Sequence, residues 1–201
     1  TGLSPEVDVV PIIAEEGIDT INGNNYIHSG TVGEWYTGES AKAGVNGDGS
    51  ISATFIETDT RRGIGLFASE EDDKSVFSAD YGIYADAFGT ATVHERGQVQ
   101  YEFEYNYNDR LTIKREGDTV SYFQNGELIY ISTVEYDGKL FADISMFTQG
   151  STLNDVVVQS GSRNSENFSI DTQPNTTGVE ISDNIIIVEF DEIMDGSSIP
   201  G

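Results

Sequence analysis

Helical periodicity is almost missing from this chain, and nothing else in the sequence constrains the fold as strongly. Short β-branched or aromatic runs alternate with Gly, Asn and Asp turns, the pattern of sandwiches and barrels. The runs predict strands near 25–29, 33–36, 50–57, 62–67, 81–85, 90–95, 99–106, 110–115, 119–124, 127–133, 140–147 and 153–159. Turn signals fall between them: "NGDG" at 46–49, "ERGQ" at 95–98, "EGDT" at 116–119 and "NG" at 125–126. In "RLTIKR" Leu111 and Ile113 alternate with Thr112 and Lys114, as in a half-buried strand. Most connections are short enough for antiparallel pairing. Asn125-Gly126 suits a type I′ turn, because both positions need positive φ. By itself it is a corner and carries no function.

Charge narrows the partners. Against 10 Lys and Arg stand 35 Asp and Glu, a formal net charge of −25. Such a chain is repelled by a phosphate backbone and by an anionic membrane surface, so nucleic acid is excluded as a partner. No apolar run approaches the length of a membrane span, so membrane insertion is not expected either. Without cysteine the chain has no disulfide, zinc thiolate or thiol nucleophile. It opens without a basic leader and stops abruptly, which predicts a piece of a longer protein.

Composition divides the chain into four segments. Residues 1–19 form an acidic extension, or the end of a preceding module, with an early strand candidate "VDVVPII" broken by Pro11. Residues 20–160 hold the all-β pattern. A polar linker follows over 161–178, and residues 179–201 begin a new strand-turn-strand pattern. From Asn164 onward there is no Lys or Arg, while eight acids leave that tail at −8.

Ordered pieces within 20–160 carry a family pattern: "GDGSISATF", "RRGIGLFASEEDDKSVFSADYGIYADAFGTATVHERGQ", "YNDRLTIKREGDTVSYFQNGELIYIST" and "LFADISMFTQGSTLNDVVV". In this order they resemble the concanavalin A-like, loosely laminin-G-like, jelly-roll modules of large bacterial surface proteins. The resemblance implies a two-sheet antiparallel jelly-roll sandwich. Where the family has Gly-Asp before its Leu-x-Ile strand, this chain has Asn108-Asp109. The tail "DTQPNTTGVEISDNIIIVEFDEIMDGSSIP" resembles the opening of a bacterial immunoglobulin-like repeat. Together they imply an extracellular, cell-surface adhesin whose module binds a glycan or a cell-surface protein and adjoins further repeats of the same chain. Such proteins often stiffen domain junctions with calcium. Clustered carboxylates at a junction repel one another, and a hard cation relieves that. Asp171, with Asp191 or Asp195, is the expected calcium site.

The candidate ligand residues are aromatic, because Tyr and Trp offer an apolar ring with a polar edge that suits a sugar face. In "YEFEYNY" Tyr101, Phe103, Tyr105 and Tyr107 alternate with polar residues and share one face of a strand. Trp35, the sole tryptophan, stands beside Tyr36 in "GEWYTG". The expected ligand residues are Trp35, Tyr36, Tyr101, Tyr105 and Tyr107, and core packing is the plain alternative for each. Glu102 and Glu104 share the opposite face at about 6.8 Å, near the carboxyl separation of retaining glycosidases. Jelly-roll glucanases carry a third acid where this chain has Asn106. The expected role is therefore binding without catalysis, with a spacer module or a glycoside hydrolase as alternatives. His28 and His94 lie in no motif, and "NGDGS" and "SEEDDKS" match no helix-loop-helix calcium loop.

Overall fold

The computed structural model describes residues 7–40, 45, 47–69, 75–161, 176–182 and 185–190. Fifteen strands build two antiparallel sheets: β1 (Val7–Val10), β2 (Ile12–Ala14), β3 (Ile18–Asn22), β4 (Asn25–His28), β5 (Tyr36–Ser40), β6 (Gly49–Phe55), β7 (Arg62–Phe67), β8 (Tyr81–Ala85), β9 (Thr90–Glu95), β10 (Gln98–Glu104), β11 (Asp109–Glu116), β12 (Thr119–Gln124), β13 (Glu127–Ile131), β14 (Phe141–Met146) and β15 (Thr152–Gly161). The eight-stranded sheet runs β13-β12-β11-β6-β15-β4-β3, with β1 also on β15, and the seven-stranded sheet runs β10-β9-β8-β7-β14-β5-β2. The only helix among the described residues is one 3-10 turn, Val76–Ser78. The fold is thus the expected all-β jelly-roll sandwich.

Period-two patterning sets the inner faces. On β11, Leu111 and Ile113 are fully buried, while Thr112 and Lys114 face outward. They meet Ile51, Ala53 and Phe55 of β6 within the sheet, and Ile64, Leu66, Ile83, Val93 and Ile144 of the facing sheet join them in one core. Two buried arginines close the sandwich at opposite ends of β6. Arg115 pairs with Gly49 in the ladder and donates Nε–H to Gly117 O at 2.9 Å. Arg62 lies over the Phe55 ring and donates to Glu57 O at 2.6 Å, with the Glu57 carboxylate at 3.2 Å.

Residues 1–19 read from sequence as an extension, but residues 7–22 supply three strands to the sandwich. β1 pairs with β15, β2 with β5 and β3 with β4. Pro11 sits where the chain leaves one sheet for the other, so its missing N–H breaks no ladder. The strand expected at 33–36 begins instead at Tyr36.

The chain separates into two compact units, Thr1–Arg163 and Asn164–Gly201. In the second, β16 (Thr176–Ser182) and β17 (Ile185–Phe190) form one antiparallel hairpin. Asp171, Asp191 and Asp195 lie outside the described residues. Among the described residues no three His, Asp or Glu side chains gather as a metal group.

Candidate ligand-binding end of the sandwich

Three turns meet at the Arg62 end. The first joins β8 to β9. Asp86 Oδ1 accepts the N–H groups of Phe88 at 2.8 Å and Thr90 at 3.0 Å. Gly89 takes φ of +81°, a conformation open to glycine at no steric cost. The turn holds Phe88 83% exposed. The second turn joins β10 to β11. Asp109 Oδ2 accepts Asn106 N–H at 2.8 Å, Asn108 takes φ of +69°, and Tyr107 is 71% exposed. The two turns are bound together, since Tyr105 N–H donates to Gly89 O at 3.0 Å and the Tyr105 hydroxyl reaches Asp86 O at 3.2 Å. Two large aromatic rings are therefore held in water on adjacent turns, each closed by an aspartate.

The third turn is the β12–β13 hairpin. Asn125 and Gly126 have φ of +53° and +84°, as a type I′ turn requires. The corner expected from sequence is real, but its side chain also works. Asn125 Oδ1 accepts Arg110 N–H at 2.9 Å, and Asn125 Nδ2 donates to Asp109 Oδ1 at 2.7 Å. Gln124 Nε2 donates to Asp109 Oδ2 at 2.7 Å and to Glu104 O at 3.0 Å. Asp109, itself 8% exposed, thus fixes two amide side chains and one turn. Burial acts to raise its pKa, but the hydrogen bonds from Asn125, Asn106 and Gln124 outweigh it and hold the carboxyl below the usual carboxylate range.

Asn106, Asp109, Gln124, Asn125, Glu127 and Ile129 line a pocket of about 380 Å³ here. The Asp109 oxygens already accept three N–H groups, so they are poorly suited to a cation. What faces the pocket is mixed: amide donors and acceptors, the Glu127 carboxylate, and the side of Ile129. Mixed groups of this kind can exchange hydrogen bonds with a ligand that both donates and accepts, such as a polyol.

The five aromatic residues expected to bind ligand do not converge. Tyr107 alone belongs to this end as an exposed ring. Tyr105 is 3% exposed and caps the core, its hydroxyl taken by Glu57 O and Asp86 O, so it presents no ligand surface. Strand β10 ends at Glu104, which is why the shared face expected for all four aromatics stops short of Tyr107. Tyr101 stacks between Phe103 and Tyr130, at 6.2 and 6.0 Å between centroids, where the edges of the two sheets approach. Tyr36 lies against Gly17 and Gly30, where a Cβ would stand 2.1 and 2.6 Å from its ring, and its hydroxyl donates to Glu34 Oε2 at 3.0 Å. Trp35 sits elsewhere, against Phe77, Tyr84 and Phe147. Glu102 and Glu104 stand opposite Thr92 and Thr90 on the outer face. Neither histidine is exposed: His28 and His94 are buried, and the Nδ1 of each has no partner among the described residues.

Sequence reasoning missed Phe88, Gln124 and Glu127 and dismissed Asn125. Phe88 did leave a signal, an aromatic residue inside the polar turn Asp86-Ala87-Phe88-Gly89.

The architecture defines the chain as a jelly-roll sandwich of the type shared by lectin and SPRY domains. No family model and no curated protein matches the sequence. Solved structures do match. The SPRY domain of human HERC1 aligns at a TM-score of 0.51 and 14% identity, covering 74% of this chain and 92% of that one. The carbohydrate recognition domain of Emp46p, in a metal-free form, aligns at 0.51 and 8%, covering 78% and 88%. The exoplasmic/lumenal domain of VIP36, in a Ca²⁺/Man3GlcNAc-bound form, aligns at 0.54 and 6%, covering 78% and 83%. At these identities the likeness is one of fold.

Proposed function

We propose that the sandwich is a non-catalytic carbohydrate-binding module, and that the end bearing Tyr107 and Phe88 is its binding site. The observation that carries this reading is that two exposed rings stand on hydrogen-bonded turns at the same end as a pocket lined by amide groups that Asp109 holds in place. Rings stack on the C–H face of a sugar, while the amides and Glu127 exchange hydrogen bonds with its hydroxyls. Among solved structures of like fold are a carbohydrate recognition domain and a Man3GlcNAc-bound domain, which is in keeping with the reading. The wider setting we propose is an extracellular adhesin of a bacterial cell surface, with neighbouring repeats of the same chain as further partners. In that setting calcium binds at the junction through Asp171 with Asp191 or Asp195, which a calorimetric calcium titration of the Asp171→Ala variant checks.

A glycan array tests the site. At least one neutral glycan should be retained by the chain, and Tyr107→Ala and Phe88→Ala should each weaken it several-fold, at about 1 kcal/mol per ring. Both rings are solvent-exposed, so neither change should unfold the domain. Retention unchanged in both variants would move the site away from this end. Failure to retain any glycan would leave the sandwich a spacer.

A further inference from the structure

We propose a second, independent binding surface on the outer face of the seven-stranded sheet, which takes an acidic sugar through Arg61 above the Trp35 ring cluster. The face is assembled by alternation. Ile83 and Ala85 of β8 point into the core, so Gly82 and Tyr84 point out. Gly63, Gly65 and Gly82 leave room on this face for the 3-10 turn: a Cβ on Gly63 would stand 2.9 Å from Val76 Cγ2, and one on Gly82 3.0 Å from it. Val76 is thereby buried, and Phe77 beside it stays 37% exposed. Trp35 then packs at 5.1 Å from Phe147, 5.7 Å from Phe77 and 6.1 Å from Tyr84, with Phe77 4.7 Å from Tyr84. Rings this close touch one another. They make a floor, with no room between them to enclose an ammonium group as an aromatic cage would.

The charge placed on that floor is unusual for this chain. Among the described residues, Arg62 and Arg115 are buried and bonded, Arg96 pairs with Asp80 at 3.3 Å, and Lys114 pairs with Glu116 at 2.7 Å. Arg110 donates to Ser52, Thr54 and Asp155, and Lys139 lies over Phe141. The exposed Arg61 guanidinium lies 5.7 Å from the Phe147 ring centre and has no acceptor among the described residues. Its backbone is fixed, with Arg61 N–H on Thr148 Oγ1 at 2.8 Å and Arg61 O accepting from Phe147 N–H at 3.0 Å. The Tyr84 hydroxyl and the Trp35 indole N–H also lack partners among the described residues. Burial raises the Tyr84 pKa, Arg61 works against that rise and Asp86 adds to it, which places both charges within electrostatic reach of Tyr84.

The groups left over are donors on an aromatic floor. Their complement is an acceptor-rich anion carried on a ring, and a bidentate guanidinium fits a carboxylate best. The net charge of −25 does not forbid this. At physiological salt, charges beyond about 8 Å are largely screened. Nearby, Asp86 Oδ1 is turned to the backbone N–H groups of Phe88 and Thr90 in its own turn, and Asp143 is buried.

Trp35 is the only tryptophan, so its emission reports on this surface and not on the Tyr107 end. The probes are trigalacturonate and sialyllactose, each titrated beside its neutral counterpart, carboxyl-reduced trigalacturonate and lactose. The expected result is an emission change with at least one acidic probe that its neutral counterpart does not reproduce. Arg61→Gln should weaken that binding about tenfold, as loss of a charged hydrogen-bonding partner does, and Tyr107→Ala should leave it unchanged. No emission change with either acid, or equal affinity in Arg61→Gln, would overturn the proposal. Neutral-glycan retention that depends on Tyr107 would survive that outcome, so the two sites fail separately.

Discussion

Replacing Asp109 with asparagine leaves the shape of the pocket and removes its organising charge. One oxygen of the carboxylate accepts from Asn106 N–H and Gln124 Nε2, and the other from Asn125 Nδ2. An amide keeps only one acceptor. With its oxygen toward Asn106 and Gln124, its NH₂ faces the NH₂ of Asn125, and turning Asn125 over would forfeit the bond from Arg110 N–H. One hydrogen bond is lost outright, and two lose their ionic partner. Hydrogen bonds to charged groups contribute roughly 1.5–3 kcal/mol each against about 1 for neutral ones, so the variant should be destabilised by about 3 kcal/mol. For a domain of this size that is a fall of about 6–12 °C in melting temperature. The pH dependence identifies the cause. The folded-state pKa of Asp109 is depressed, so its contribution is present above the ordinary aspartate pKa and lost as pH falls through the folded value. Calorimetry of both proteins should give curves that differ at pH 7 and converge in strong acid. Equal stability at pH 7, or a gap that persists unchanged once Asp109 is protonated, would refute the reasoning.

Glu95 has the opposite sign. It is 2% exposed; its Oε1 accepts from the Tyr122 hydroxyl at 3.0 Å, and its Oε2 has no partner among the described residues. Burial pushes its pKa up, so its ionisation lowers stability as pH rises above the ordinary glutamate range. Glu95→Gln should therefore stabilise the domain at pH 8 relative to pH 4 in paired melting curves, and a benefit independent of pH would count against this. Gly63→Ala places a methyl group 2.5 Å from Ile83 O. The same methyl would stand 2.9 Å from Val76 Cγ2 of the 3-10 turn; the change should cost about 1–3 kcal/mol by overpacking, measured by urea unfolding, and an unchanged midpoint would contradict the close packing of β8 and the 3-10 turn on Gly63.

The strands were legible where one face is dry. On β6 and β11 the period of two is plain, and the expected boundaries fall within two residues of those found. Strand β7 was found from its β-branched and apolar run, although it is buried on both faces because the 3-10 turn covers its glycines. Residues 1–19, which hold β1, β2 and the start of β3, were placed outside the domain because they are acidic and precede the ordered pattern, and the partners of β1 and β2 lie further along the chain on β15 and β5. The site was less legible for the same reason. Asn125-Gly126 states its turn type locally, whereas the role of its side chain depends on Asp109, brought opposite by the β11–β12 ladder. The Trp35 floor likewise joins four separate segments, and no spacing in the sequence announces it.

The most direct measurement is chemical-shift mapping by NMR with the neutral glycan best retained on the array. The side-chain amide signals of Gln124 and Asn125 and the backbone signals of 86–90 and 106–109 should move together and saturate with one affinity, while the Trp35 indole signal stays in place. Shifts confined to other surfaces, with the Gln124 and Asn125 amides unmoved at saturation, would contradict a binding site at this end of the sandwich.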